Sequence, residues 1–199
     1  MFSPSSRARL TDRDLDRFPG NTLFHRLARA TCHGGRVVDL GGGHGLLAQA
    51  MLLLDDSSPS ALVVDKTLPP SSTKLHAALV QAWPRLTGRV EFVARALEDV
   101  EILPTDVVVS SHACGDLTDR VLDRAAAARA RVAVLPCCHN LSTCDAGELS
   151  GWVEDPIAID VVRALRLKQQ GYRIWTQTIP ANITPKNRLL LGARTQSTV

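Results

Sequence analysis

The sequence predicts an α/β protein with a doubly wound, mostly parallel seven-stranded sheet that ends in an antiparallel hairpin. Short apolar runs alternate along the chain with segments of helical composition, which is typical of parallel strands joined by crossover helices. The first run ends in a cluster of glycines, and the last two runs follow one another with only a loop between them. With 199 residues, 45% of them apolar, the chain has the size and composition of roughly one globular domain.

Seven apolar segments have the character of strands: residues 36–40, 61–65, 90–93, 106–110, 131–135, 172–179 and 188–193. Four segments between them have the character of helices: residues 46–54, 73–83, 118–128 and 157–170. Pro84 and Gly171 follow the second and the last of these helices, and both residue types end helices. We expect five β-α units and then two strands that pair antiparallel at one edge of the sheet. Residues 1–34 are predicted to form an N-terminal helical arm, and residues 35–199 the domain itself.

The formal net charge of +3 conceals a segregated distribution of charge along the chain. Residues 1–36 hold seven Arg and three Asp, residues 37–160 hold nine Lys or Arg and seventeen Asp or Glu, and residues 161–199 hold seven Lys or Arg and no acid. This pattern is typical either of basic termini that face an anionic partner or of a solvated, arginine-rich surface. Both interpretations stay open.

The sequence also disfavours several classes of protein. No apolar run reaches the roughly 18 residues of a membrane span, and the polar start of the chain lacks the apolar core of a secretory signal. The five cysteines include an adjacent pair and show no disulfide framework. We therefore expect reduced thiols, a cytoplasmic location and no membrane partner.

A glycine-rich turn follows the first strand, where residues 39–45 are Asp-Leu-Gly-Gly-Gly-His-Gly. Glycine permits positive φ and close approach of a ligand, and the following helix begins with N–H groups that have no partner in the helix. A dinucleotide fingerprint needs a small residue at the next position, which is Leu46. The Asp39 carboxylate would repel a pyrophosphate, whereas it suits a cation such as the ammonium group of S-adenosylmethionine. Asp65, which ends the second strand, is placed to accept hydrogen bonds from ribose hydroxyls.

The run Asp-Leu-Gly-Gly-Gly-His-Gly, with Asp65 downstream, resembles the class I, Rossmann-like methyltransferases that depend on S-adenosylmethionine. The resemblance covers roughly residues 35–195 and includes the terminal hairpin, which is similar to the sixth and seventh strands of that family. It implies S-adenosylmethionine as cofactor, with its methionine part at the glycine turn, its ribose at Asp65 and its adenine after the third strand. The cofactor-binding residues implied in this way are Asp39, Gly41, Gly42, Gly43, Gly45, Asp65, Leu97 and Glu98.

Reactive side chains follow the fourth and fifth strands. Because ligands of open α/β sheets bind at the carboxyl ends of the strands, we expect these side chains to converge beside the methyl donor. They are His112, Cys114 and Asp116 after the fourth strand, and Cys137, Cys138 and His139 after the fifth. The two motifs, His-x-Cys-Gly and Cys-Cys-His, are similar to those of a subgroup that includes acceptor-stem tRNA 2′-O-methyltransferases and several methyltransferase-like proteins.

Three chemical interpretations of this group stay open, beside simple packing of small thiols. In the first, His112, Asp116 or His139 deprotonates or orients the acceptor. In the second, Cys114 or Cys137 is a covalent nucleophile with a lowered thiol pKa. In the third, a zinc tetrad is drawn from six residues at a spacing that fits no standard finger: His112, Cys114, Cys137, Cys138, His139 and Cys144. The catalytic candidates are His112, Asp116, Cys137 and His139, and no metal ligands are assigned.

The sequence therefore predicts a methyltransferase that uses S-adenosylmethionine and acts on an unidentified acceptor, with RNA slightly favoured over a protein or a small molecule. A fold alone does not establish catalysis. The alternative is therefore a non-catalytic module that binds S-adenosylmethionine or zinc on the same fold.

Overall fold

The computed structural model describes residues 34–55, 57–111 and 113–195. Apart from its last residue, the helical arm predicted at residues 1–34 lies outside the described residues, and so does the catalytic candidate His112. No helix among the described residues is long and apolar enough to span a bilayer.

Every predicted strand and helix of the domain is present, with boundaries shifted by at most two residues. The strands are β1 (Val37–Leu40), β2 (Ala61–Asp65), β3 (Val90–Ala94), β4 (Val107–Ser111), β5 (Arg131–Leu135), β6 (Tyr172–Thr178) and β7 (Arg188–Arg194). The helices are α1 (Leu46–Leu54), α2 (Ser72–Ala82), α3 (Asp116–Ala127) and α4 (Asp155–Gln169). Single 3₁₀ turns lie at Pro84–Leu86, Leu97–Asp99 and Leu149–Gly151.

The seven strands form one sheet in the order β3-β2-β1-β4-β5-β7-β6. Strands β1 to β5 run parallel, so that Val38 of β1 pairs with Leu62 of β2 on one side and Val108 of β4 on the other. β7 pairs antiparallel with both β5 and β6. The predicted doubly wound sheet with a terminal hairpin is therefore confirmed. Successive strands are added on one side of β1 up to β3 and on the other side from β4 onward. This reversal of strand order opens a crevice outside the carboxyl ends of β1 and β4.

Two predicted details are wrong. The structure has four β-α units instead of five, because the connection from β3 to β4 contains only the 3₁₀ turn Leu97–Asp99 and no α-helix. Helices α3 and α4 each begin two residues earlier than predicted. Asp116 and Asp119 place carboxylates in the first turn of α3, where the helix dipole favours negative charge. Pro156 lies in the first turn of α4, where its missing N–H leaves no hydrogen bond unmade.

Alternate residues of the central strands face two apolar layers. On one face Val37 packs in a cluster with Leu52 of α1, and on the other Val38 packs in a cluster with Leu122 of α3. Because the central strands are buried on both faces, their sequence is continuously apolar instead of alternating. This arrangement places the loops that follow β1, β2, β4 and β5 together at one edge of the sheet, where the candidate functional residues lie.

Candidate functional site

The glycine turn after β1 is held against the end of β2 by backbone hydrogen bonds. The N–H groups of Gly41 and Gly42 both donate to the carbonyl oxygen of Val64, at 2.8 and 3.1 Å. The N–H of Gly43 donates to Oδ2 of Asp65 at 3.0 Å. Gly41 and Gly43 have φ of +70° and +52°, in the left-handed region that favours glycine. The turn and the Asp65 carboxylate therefore form one unit.

The glycines of this turn have different roles. A Cβ on Gly42 would lie 2.8 Å from Val63, and one on Gly45 would lie 2.8 Å from both Val63 and the ring of Phe92. Those two positions are glycine because the turn packs directly on β2 and β3. A Cβ on Gly43 would meet only a carboxylate oxygen at 4.0 Å. The space over Gly43 is open enough for a ligand to approach the backbone.

Asp39 lies beneath the turn. Its side chain is 1% exposed, and its Oδ2 accepts a hydrogen bond from the N–H of Ala48 at 3.3 Å. Burial raises the pKa of Asp39 to about 7; the Ala48 N–H opposes this increase and the nearby charge of Asp65 adds to it. Asp39 supports the start of α1 and is not among the residues that line the adjacent cavity. The proposed interaction of its carboxylate with a bound cation stays a prediction.

A cavity of about 360 Å³ opens beside the turn, which is within the size range of small-molecule sites. Its lining combines one carboxylate, apolar walls and three cations: Gly41, Val64, Asp65, Lys66, Arg95, Leu97, Cys114, Leu117 and Arg120. The structure thus brings together three of the predicted cofactor residues, Gly41, Asp65 and Leu97. Of the other predicted cofactor residues, Glu98 is exposed, and the Arg120 guanidinium, which donates to Oε1 from Nε at 2.8 Å, lowers the pKa of Glu98.

Sequence reasoning missed the cations of this cavity. Lys66 and Arg95 directly follow β2 and β3, so the rule that ligands bind at the carboxyl ends of strands would have found both. Arg120 lies one turn into α3 and could be assigned to the cavity only once the position of that helix was known.

Three cysteines converge at the rim of the cavity. The Sγ atoms of Cys114 and Cys137 are 3.2 Å apart, those of Cys137 and Cys138 are 3.6 Å apart, and all three lie within 4.8 Å of one another. Cys137 is buried, whereas Cys114 and Cys138 are exposed. The N–H of Gly115 donates to the carbonyl oxygen of Cys138 at 3.1 Å, which ties the two loops together. The predicted convergence of the loops after β4 and β5 is present for these residues.

The two neighbouring thiols of the β5 loop differ in acidity. Burial, together with hydrogen bonds within the cluster, raises the pKa of Cys137 to about 12. Hydrogen bonds from Cys114 and Cys137 lower the pKa of Cys138, and the positive charge of Lys186 adds to this effect. A thiolate nucleophile is therefore favoured at Cys138 over the predicted Cys137. Cys144 lies apart from the cluster, where its Sγ accepts a hydrogen bond from Arg163 at 3.5 Å.

His139 belongs to a buried polar network instead of the open rim. Its side chain is 4% exposed, and its Nε2 lies 2.9 Å from Oδ1 of Asp160. Because the carboxylate accepts, this contact assigns the proton of a neutral ring to Nε2 and leaves Nδ1 as the acceptor. Asp160 also accepts from Nε of Arg188 at 2.7 Å and from Arg163 at 3.2 Å. Unlike His139, the catalytic candidate Asp116 is exposed, and it lies at the start of α3.

Ion pairs join the basic ends of the sequence to its acidic middle. The pairs are Arg36–Asp106, Arg163–Asp119, Arg163–Asp160, Arg166–Asp145 and Arg188–Asp160. Carboxylates within the fold thus neutralise several of the basic residues at the ends of the sequence. Less positive charge is therefore available on the C-terminal arginines to attract an anionic partner.

A second cavity, of about 460 Å³, lies between α4 and the β6–β7 hairpin. Pro136, Asp160 and Arg188 are among its lining residues. Pro136 precedes Cys137, which contacts Cys114 of the first cavity. The cysteine cluster therefore connects the linings of the two cavities.

Comparison with curated protein sequences gives no match for this chain. A family model described as a methyltransferase domain matches residues 21–144, which is more than half of the chain.

Solved structures of methyltransferases have a similar fold. An O-methyltransferase family protein from Burkholderia thailandensis matches with a TM-score of 0.55 and 20% identity, over 94% of this chain and 61% of that protein. Precorrin-6y C5,15-methyltransferase from Geobacter metallireducens matches with a TM-score of 0.55 and 9% identity, over 97% and 94% of the two chains. The ribosomal protein L11 methylase from Lactobacillus delbrueckii subsp. bulgaricus matches with a TM-score of 0.52 and 17% identity, over 88% and 79%. The chain spans about three fifths of the length of the Burkholderia protein, and at these identities the similarity establishes the fold.

Proposed function

This chain belongs to the methyltransferase domain family, and on that premise we propose that it transfers a methyl group from S-adenosylmethionine to an acceptor held at the carboxyl ends of β4 and β5. The observation that carries the proposal is the cavity of about 360 Å³ that joins the glycine turn to Asp65. S-adenosylmethionine, when bound, supplies a methyl group on a positively charged sulfur.

The chemistry of the cavity and of the adjoining glycine turn suits three parts of that molecule. The Asp65 carboxylate lines the cavity and suits the ribose hydroxyls, which are hydrogen-bond donors. Leu97 and Leu117 offer apolar walls for a flat base. Gly43 offers open backbone for the methionine part, and no third small residue at position 46 completes a dinucleotide fingerprint.

Catalysis by this chain would rest mainly on positioning, since holding two reactants in line supplies up to about 7–11 kcal/mol of the barrier. The candidates for removing or orienting an acceptor proton are His112, Asp116 and His139. Asp116 is exposed at the start of α3, and the contact of His139 with Asp160 leaves Nδ1 as the ring atom able to accept a proton. Covalent catalysis by Cys137 has less support, because burial raises its thiol pKa to about 12.

RNA is the acceptor class that we favour. The support is the group of cations around the cavity and the cysteine cluster: Lys66 and Arg95 line the cavity, and Lys186 exerts its positive charge on Cys138. Such cations attract phosphates, and binding through them weakens steeply with salt. A protein or a small molecule as acceptor is the competing outcome.

The deciding experiment is transfer of a tritiated methyl group from S-adenosylmethionine into a fractionated cell lysate, followed by nuclease or protease. We expect nuclease-sensitive label with the wild-type chain and little label with Asp65→Asn. Glu91→Gln is the matched control, because Glu91 is the exposed second residue of β3 and lies away from the carboxyl end of that strand. Protease-sensitive label would assign a protein acceptor. Calorimetry that detects S-adenosylmethionine binding without transfer into any fraction would reject the enzyme and favour a binding module.

A further inference from the structure

The three cysteines at the rim form a cluster that the proposed methyl transfer does not use. We propose that Cys114, Cys137 and Cys138 bind one Zn²⁺ through three thiolates and leave a fourth coordination position for water or another Lewis base. The cluster arises from two loops that neighbouring parallel strands bring to the same edge: β4 and β5 pair in register up to Ser111 and Leu135.

The sulfur positions suit a tetrahedral metal ion. Zn–S bonds of about 2.3 Å at tetrahedral angles place sulfur atoms about 3.8 Å apart. In the cluster, Cys137 Sγ lies 3.2 Å from Cys114 Sγ and 3.6 Å from Cys138 Sγ, and the three Sγ atoms all lie within 4.8 Å of one another. To reach that separation, the Cys114–Cys137 distance must open by about 0.6 Å and the Cys137–Cys138 distance by about 0.2 Å. Three protein ligands and an open fourth position are the arrangement of reactive zinc sites, whereas structural sites are closed by four.

Hydrogen bonds hold the two loops that carry the thiols to each other and to α4. The Gly115 N–H donates to the carbonyl of Cys138 at 3.1 Å, and the Gly115 carbonyl accepts from Arg163 at 2.9 Å. The Arg163 side chain is 1% exposed and is also bound by Asp119 at 2.6 Å. A buried arginine thus holds the β4 loop against α4, which limits the ordering that a metal ion would have to impose.

The charges around the cluster suit the bound state. One Zn²⁺ and three thiolates carry a net charge of −1, and Lys186 contributes a positive charge at Cys138. Each thiol releases its proton to solvent as its Zn–S bond forms, so that binding becomes tighter as pH rises and needs no oxidant or reductant. A Cys114–Cys137 disulfide is the competing fate of the same atoms. Their sulfurs at 3.2 Å are well beyond the about 2.05 Å of that bond, whose formation would require an oxidant.

The test uses the full-length chain, stripped of metal by a chelator and kept reduced. Co²⁺ is titrated first, because thiolate-bound Co²⁺ gives a sulfur-to-metal charge-transfer absorption, and Zn²⁺ is then added to displace it. We expect one equivalent of metal per chain, with the absorption strongly reduced in Cys114→Ser and Cys138→Ser. Both residues are exposed, so these two variants remain informative even if Cys137→Ser fails to fold.

Cys144→Ser is the matched control, since Cys144 is a buried thiol outside the cluster and its loss should leave the metal site intact. The Zn²⁺ affinity of Cys138→Ser should fall by more than the roughly 10- to 100-fold that the loss of an outer-shell partner causes. No charge-transfer absorption in the wild-type chain, or equal absorption in Cys138→Ser, overturns the proposal. So does a chain that takes up no metal and loses two hydrogens by mass in air, since that identifies a disulfide. None of these readouts depends on methyl transfer.

Discussion

Replacing the buried carboxylate beneath the glycine turn should change how the stability of the protein depends on pH. Burial raises the pKa of Asp39 from 3.8 to about 7. Each increase of one in the folded-state pKa over the unfolded-state pKa lowers the free energy of unfolding with the group ionised by about 1.36 kcal/mol. Ionised Asp39 therefore destabilises the folded chain by about 4 kcal/mol, a large part of the roughly 5–15 kcal/mol that stabilises a domain.

The sign follows from proton binding. Between pH 4 and pH 7 the folded state holds a proton on Asp39 that the unfolded chain has lost, so the free energy of unfolding falls as pH rises. The contribution of Asp39 is fully favourable below about pH 4, is lost through that window and is constant above pH 7. In Asp39→Asn this part of the slope, up to about 1.4 kcal/mol per pH unit, should disappear.

Urea denaturation at pH 5 and pH 8 measures the effect. Ser110→Ala is the matched control: Ser110 is buried on the neighbouring strand and its Oγ donates to the carbonyl of Leu40 at 2.6 Å, but it does not titrate. It should lower stability at both pH values without changing the slope. If Asp39→Asn has the same difference between pH 5 and pH 8 as the wild-type chain, Asp39 does not have the raised pKa that its burial implies, and the reasoning is refuted.

Three further substitutions test packing, ligand binding and the buried ion pair. Gly45→Ala should lose about 1–3 kcal/mol more unfolding free energy than Gly88→Ala, because both have φ of +70° but only Gly45 has no room for a Cβ; equal losses in urea denaturation would refute this. Asp65→Asn should weaken S-adenosylmethionine binding by about 10- to 100-fold in calorimetry, which is the value of a hydrogen bond to a charged group, and unchanged affinity would remove Asp65 from the site. Arg163→Met should lose about 1.5–3 kcal/mol, because it removes a buried guanidinium from the partly buried Asp119 carboxylate and from the Gly115 carbonyl, whereas Arg166→Met, whose ion pair is about half exposed, should lose about 0–1 kcal/mol. Similar losses for the two variants would show that burial of the Arg163 guanidinium does not increase its contribution to the free energy of unfolding.

The sequence predicted the fold well because its signals are local. Short apolar strands, Pro84 and Gly171 at helix ends and the glycines after β1 express backbone preferences that each segment has by itself. The prediction was less accurate at the starts of α3 and α4, where favourable first-turn residues extended the helices by two positions.

The site was predicted only in part. The carboxyl-end rule placed Asp65 and Cys114 correctly at one cavity, and it brought Cys137 to the same rim. It could not show that Asp39 lies beneath the turn, or that Asp160 engages His139, because depth and partner choice depend on residues far away in sequence.

By itself the sequence determined the order of strands and helices, the parallel winding and the glycine turn, since these follow from periodicity and from φ preferences within a few residues. The tertiary structure alone decided which glycines face a ligand and which pack on β2 and β3, which three thiols meet, and which arginines are neutralised. Those outcomes depend on distances between segments up to 70 residues apart, as between Arg36 and Asp106. Such distances are fixed only when the sheet has formed and its two faces are covered.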